Sequence, residues 1–100
     1  MTFTVTEENG TLTGVMDGRL DTAAAPQFAE DMKVMMDNAD KHLVLDMAKL
    51  SFISSSGLRL LLSLRKETMA KNGDITIINV LPEVKQVFTI TGFYSLFQFK

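Results

Sequence analysis

The run Leu43-Val44-Leu45-Asp46-Met47 restricts the fold more than any other segment of this chain. Five consecutive residues that are almost all apolar fit a strand covered on both faces, not one open to water, so this strand should lie centrally in a sheet. The segments before it supply neighbours. Phe3 and Val5 alternate with threonines, Asn9-Gly10 is a hairpin dipeptide, and Thr11 to Met16 is again β-friendly. The chain should therefore open with an antiparallel pair whose second strand ends at Asp17-Gly18. Pro26 suits an early helical position, and Phe28, Met32, Met35, Met36 and Ala39 recur at helical spacing, which predicts one helix from about Ala25 to Asp40.

Beyond the central strand the alternation continues. Leu58, Leu61, Leu62, Arg65 and Met69 share a helical stripe, widened by Leu60 and Leu64, and Asn72-Gly73 stops it. Ile75 to Asn79 has the pattern of a second buried strand. Pro82 opens a short helix that turns Val84, Val87 and Phe88 inward and ends at Gly92, and Leu96 to Phe99 can form a last strand. A hairpin followed by alternating helices and strands requires a mostly parallel sheet with right-handed crossovers. The fold class is α/β: an N-terminal antiparallel hairpin leading into about five strands, with three or four packed helices. Residues 1–100 read as a single domain, and Met32, Met35 and Met36 as core before partner surface.

Composition narrows the function. Ten basic and twelve acidic residues give a net charge of −2, which provides no cationic field for nucleic acid. The absence of cysteine removes disulfides, thiol nucleophiles and thiolate metal sites, and suits a reducing cytosol. The first ten residues lack the basic start and apolar stretch of a signal peptide. The longest uncharged run, Gln86 to Phe99, is shorter than the ~20 residues of a spanning helix, so no membrane span is expected. With no coiled-coil heptads, a monomer is the default.

Chemistry concentrates in one place. Leu50-Ser51-Phe52-Ile53 leads into Ser54-Ser55-Ser56-Gly57, where the leucine-rich helix starts, so three hydroxyls crowd a helix N-terminus. Unpaired N–H groups and partial positive charge there suit a capping serine oxygen, and suit a phosphate more strongly. Three residues after each serine stand Gly57, Leu58 and Arg59, so no capping-box carboxylate occupies the site. A phosphate would add a charge of about −1.5 to −2 beside Arg59 without unfolding the helix, and Gly57 would keep the approach open. The same serines could serve only as a helix cap, and local chemistry leaves both roles open.

The run Leu50-Ser51-Phe52-Ile53-Ser54-Ser55-Ser56-Gly57-Leu58 resembles the signature of the STAS domain as found in anti-sigma factor antagonists. Gly18-Arg19-Leu20-Asp21, Asn72-Gly73, Val84-Lys85-Gln86-Val87-Phe88 and Gly92-Phe93 match in order, so the resemblance spans essentially the whole chain. It implies that Ser55, or Ser56 as runner-up, accepts phosphate from a partner serine kinase that is also the anti-sigma factor. It further implies that the unphosphorylated chain binds that partner and frees the sigma factor, that phosphorylation ends binding, and that a phosphatase resets the switch. Asp21, Ser54, Ser55, Ser56, Gly57 and Leu58 are the implied partner-binding residues. Asp21 is equally a candidate turn or helix cap, and Leu58 a candidate core residue. Ser54 stands where the family often has aspartate.

Other classes fit less well. A serine hydrolase would need a Gly-x-Ser-x-Gly elbow and a nearby histidine, yet the sole histidine, His42, precedes the central strand, roughly 16 Å of extended chain from the serines. His42 reads as a solvated turn residue. Asp37, Asp40, Asp46 and Asp74 read as caps, turns and surface, which leaves no metal site. No phosphate-binding glycine loop is present, so no cofactor is expected and any ATP belongs to the kinase. The rival with the same fold is a STAS-like scaffold, or the soluble subunit of a lipid-transport or stress-signalling complex, that lacks the phospho-switch.

Overall fold

The computed structural model describes every residue from Met1 to Lys100. The strands are β1 (Thr2–Glu8), β2 (Thr11–Leu20), β3 (His42–Ile53), β4 (Asp74–Ile78) and β5 (Gln98–Phe99); the helices are α1 (Ala25–Asp31), α2 (Lys33–Asp37), α3 (Ser55–Ala70) and α4 (Pro82–Ile90). They form one five-stranded sheet in the order β1-β2-β3-β4-β5, with β1 antiparallel to β2 and all later pairs parallel. Asn9 and Gly10 take positive φ of 54° and 80°, the backbone that a tight hairpin turn needs.

Strands that follow one another across the sheet through right-handed crossovers place their helices on one face. The aromatic contacts agree: Phe3 of β1 meets Phe28 of α1 edge-on at 5.1 Å between ring centroids, and Phe88 of α4 meets Phe99 of β5 at 5.2 Å. That face carries the core, in which Leu12, Met16, Leu43, Leu45, Met47 and Ile77 pack against Phe28, Met35, Leu61, Leu64, Val84 and Phe88. The opposite face is wetter, with Thr2, Thr4, Thr6 and Arg19 exposed and Val15, Val44 and Ile78 half-buried.

The structure corrects several expectations. Asp17-Gly18 does not end β2. Register shifts between Val15 and Asp17 and between Gly18 and Arg19, with Gly18 at φ +115°, absorb the irregularity, and pairing with β3 resumes to Leu20. The central strand correspondingly runs past Met47 to Ile53. The helix expected from Ala25 to Asp40 is interrupted at Met32, where the Met35 N–H bonds back three residues to the Met32 carbonyl at 3.0 Å; both halves still bury Phe28, Met32 and Met35. Along α3 the buried stripe is Gly57, Leu58, Leu61, Leu64 and Thr68, whereas Met69, expected inside, is 61% exposed. A short 3-10 turn over Tyr94–Leu96 takes the first residue of the expected last strand, and β5 keeps only its last two, Gln98 and Phe99.

Candidate functional site

Leu20 and Ile53 are register partners at the carboxyl ends of β2 and β3, so the segments that follow them leave the sheet side by side. This is where open parallel sheets usually place their ligands. The Ser54 N–H donates to the Leu20 carbonyl at 2.8 Å and ties the two exits together. Ser54 is extended (φ −90°, ψ 169°) and caps α3: its Oγ accepts from the Gly57 N–H at 3.2 Å, and its carbonyl accepts the first helical bond from Leu58 at 2.9 Å. On the neighbouring exit, Asp21 Oδ1 accepts from the Ala24 N–H at 2.9 Å, and its carbonyl accepts from both Ala24 and Ala25. Asp21 thus lies at the same sheet edge as the serines while its carboxylate organises the turn into α1.

The three hydroxyls are not equivalent. Ser54 Oγ and Ser56 Oγ lie 3.0 Å apart, and Ser56 Oγ reaches Thr22 Oγ1 at a long 3.5 Å, so this pair bridges the two exits. Ser55 takes part in none of these bonds. It is exposed, whereas Ser54 and Ser56 are half-buried. Of the three, only Ser55 has a hydroxyl that is both exposed and outside these hydrogen bonds.

Gly57 and Leu58 hold the site from beneath. Leu58 is 2% exposed and belongs to the core, so it presents no side chain to a partner. Gly57 is also buried, and it does not keep an outward approach open: a β-carbon there would stand 2.7 Å from Leu20 Cγ. Its role is to let the start of α3 sit directly on the ends of β2 and β3.

Three features escaped the sequence reasoning. Thr22 joins the hydroxyl bridge, and with Ala25, Pro26, Ala29, Ser56 and Leu60 it lines a shallow groove of about 340 Å³ between α1 and α3. Arg19 and Phe52 are register partners on the wetter face, with the guanidinium carbon 4.5 Å above the ring centroid. These contacts join residues 33 or more positions apart, and only the β2–β3 register could have signalled them.

His42 is the first residue of β3, not a turn residue, and bonds through Nδ1 to Asp74, its register partner on β4. The twelve-residue strand separates it from the serines. No group of three or more His, Cys, Asp or Glu side chains stands close enough to hold a metal ion. No helix is long and apolar enough to cross a membrane.

A family profile described as STAS domain matches residues 2–100. A protein of Bordetella bronchiseptica, BtrV, described as a candidate anti-sigma factor antagonist, is 32% identical over 97 residues, covering 97% of this chain and 84% of its own. Among solved structures, the anti-sigma factor antagonist SpoIIAA in its unphosphorylated form superposes with a TM-score of 0.79 at 23% identity, covering 99% of this chain and 88% of its own. The phosphorylated form of SpoIIAA, described as a Bacillus cell fate determinant, gives 0.73 at 23% identity, with 99% and 91% covered. At that identity the two SpoIIAA structures carry the likeness of fold.

Proposed function

The chain belongs to the STAS domain family, and from that membership we propose that it is an anti-sigma factor antagonist switched by phosphorylation at Ser55. In its unphosphorylated form it binds an anti-sigma factor that is also a serine kinase, and the sigma factor goes free. Phosphate at Ser55 ends that binding, and a phosphatase restores it. The chain performs no catalysis itself; the kinase binds the ATP, and the exchange takes place in the cytosol with the transcription machinery.

The observation that carries this reading is the difference between the serines. Ser54 and Ser56 are tied into the helix cap and the bridge to Thr22, while the Ser55 hydroxyl stands exposed and free of those bonds. The relatives support the reading. BtrV is described as a candidate antagonist, and SpoIIAA has been solved with and without phosphate. A charge of about −1.5 to −2 in the middle of a fitted surface brings desolvation cost and repulsion, and each 1.4 kcal/mol lost lowers affinity about tenfold.

The test is intact-mass and peptide mass spectrometry after incubation with ATP and each candidate serine kinase. One added phosphate that disappears in Ser55→Ala and persists in Ser56→Ala supports the switch at Ser55. Loss only in Ser56→Ala moves the site by one residue. A folded chain that takes no phosphate from any kinase favours the scaffold or transport-subunit reading.

A further inference from the structure

Arg19 and Phe52 lie immediately below the serine loop, each one residue before the Leu20–Ile53 pair that leads into it. Leu20 and Ile53 point into the core, at 0% and 2% exposure, so their predecessors point to the opposite side of the sheet. Phe52 is 36% exposed there, and the Arg19 guanidinium sits over its ring at 4.5 Å. A cation held against an aromatic face keeps its orientation and leaves N–H donors at its rim.

None of those donors meets a carboxylate of this chain. The ion pairs are Lys33–Glu30, Lys41–Glu7, His42–Asp74 and Lys71–Glu67, and Arg19 is in none of them. Arg59, four residues after Ser55 and hence on the same side of α3, is equally unpaired. Charged groups close to Arg19 along the chain and register include Asp17, two positions back on β2, its register partner Lys49, the N-terminal amine of Met1 beside Gly18, and Asp21, whose carboxylate accepts from Ala24. Arg19, one residue before the strand end that leads to the loop, and Arg59, in the first turns of α3, are thus two guanidiniums without an ion pair in a chain of net charge −2.

We infer that Arg19, braced on Phe52, is an anchor for an acidic surface of the partner protein. This rests on the proposed function, and it names the chemistry of the partner at the same site. Arginine and aromatic residues are the side chains most enriched at protein interfaces, and an Arg–carboxylate pair fixes register through paired donors. An acidic partner surface also fits release, because phosphate at Ser55 would repel the partner's carboxylates. Two arginines on a net acidic chain supply far less charge than phosphate-backbone binding requires, so nucleic acid is the weaker occupant.

The experiment is calorimetric titration of the unphosphorylated full chain with the kinase that phosphorylates Ser55, at about 50 mM and about 500 mM salt. The chains compared are the native protein, Arg19→Lys, Arg19→Glu, Phe52→Leu and, as a distant charge reversal, Lys66→Glu. Arg19→Glu should weaken binding on the order of 30- to 100-fold at low salt, and Arg19→Lys and Phe52→Leu by smaller factors. Lys66→Glu should stay within about twofold, and the salt dependence of Arg19→Glu should be flatter than that of the native chain. Native-like affinity of Arg19→Glu, with its circular dichroism unchanged, overturns the acidic-surface proposal and leaves the switch standing. A native chain that neither binds nor accepts phosphate from any serine kinase overturns the function reading and this proposal with it.

Discussion

A β-carbon at position 57 would stand 2.7 Å from Leu20 Cγ and 2.8 Å from Leu20 Cδ2, with Ile53 Cγ1 at 3.2 Å. Leu20 is fully buried and cannot swing into solvent, so the first turn of α3 needs glycine at position 57 to sit this close to the ends of β2 and β3. Gly57→Ala gains up to about 1 kcal/mol of helix propensity, but overpacking of this kind costs about 1–3 kcal/mol. The expected outcome is a net loss of stability, read as a lower urea midpoint at unchanged m-value. A midpoint at or above that of the native chain would refute the steric role.

Ser54 fills the cap position, and its Oγ satisfies the Gly57 N–H at 3.2 Å. Ser54→Ala removes that acceptor and should cost about 1 kcal/mol. Ser54→Asp keeps an acceptor and adds a favourable charge at the positive end of α3, so its stability should match or exceed that of the native chain. Thermal unfolding of the two variants checks the ordering Asp ≥ Ser > Ala. The same aspartate places a negative charge one residue from Ser55, so phosphorylated Ser54→Asp should be less stable relative to its unphosphorylated form than the native pair is.

Much of this arrangement was legible in the sequence because the decisive residues act locally. Asn9-Gly10 and Gly92 have the positive φ that their turns require, Pro82 opens α4, and the apolar run at Leu43 marks the centre of the sheet. A serine cap was readable for the same reason, although not which serine, since cap and donor lie three residues apart. What the sequence hid depends on pairing across the sheet. Residues 48 to 52, with polar Lys49 and Ser51 among them, break the apolar run, yet they remain in β3 because β2 follows them through its register shifts. Ser51 Oγ donates to the Gly18 carbonyl at 3.1 Å in that irregular stretch. Arg19 and Phe52 meet only through this register, so neither stood out alone.

Gly73 marks a second close approach, far from the serines, where the turn after α3 crosses the turn before β3. A β-carbon there would lie 2.0 Å from the Ala39 carbonyl oxygen and 2.6 Å from that of Lys41. These are backbone atoms, and the Asp74 N–H already donates to the Lys41 carbonyl at 3.2 Å, so neither can move without breaking the β3–β4 start. Gly73→Ala should cost about 3 kcal/mol or more. At Gly10 a β-carbon meets nothing within 4 Å but φ is +80°, so Gly10→Ala should cost only about 1–2 kcal/mol of backbone strain. Chemical denaturation of both variants checks the order; equal losses would mean that the turn crossing at Gly73 is looser than its geometry.

The serines can be separated by stability alone, before any partner is known. Ser55 is exposed and its hydroxyl is outside the hydrogen-bonded bridge, so Ser55→Ala should change unfolding free energy by no more than about 0.5 kcal/mol. Ser56→Ala removes the 3.0 Å contact with Ser54 and the long contact with Thr22, and should cost about 0.5–1 kcal/mol. Thr22→Val should reproduce only a small part of that loss, because the 3.5 Å contact is the weaker of the two. Urea titrations of the three variants side by side provide the check. A switch residue should be free to change state without disturbing the fold, so a Ser55→Ala variant less stable than Ser56→Ala would count against Ser55 as the phosphate acceptor and in favour of its neighbour.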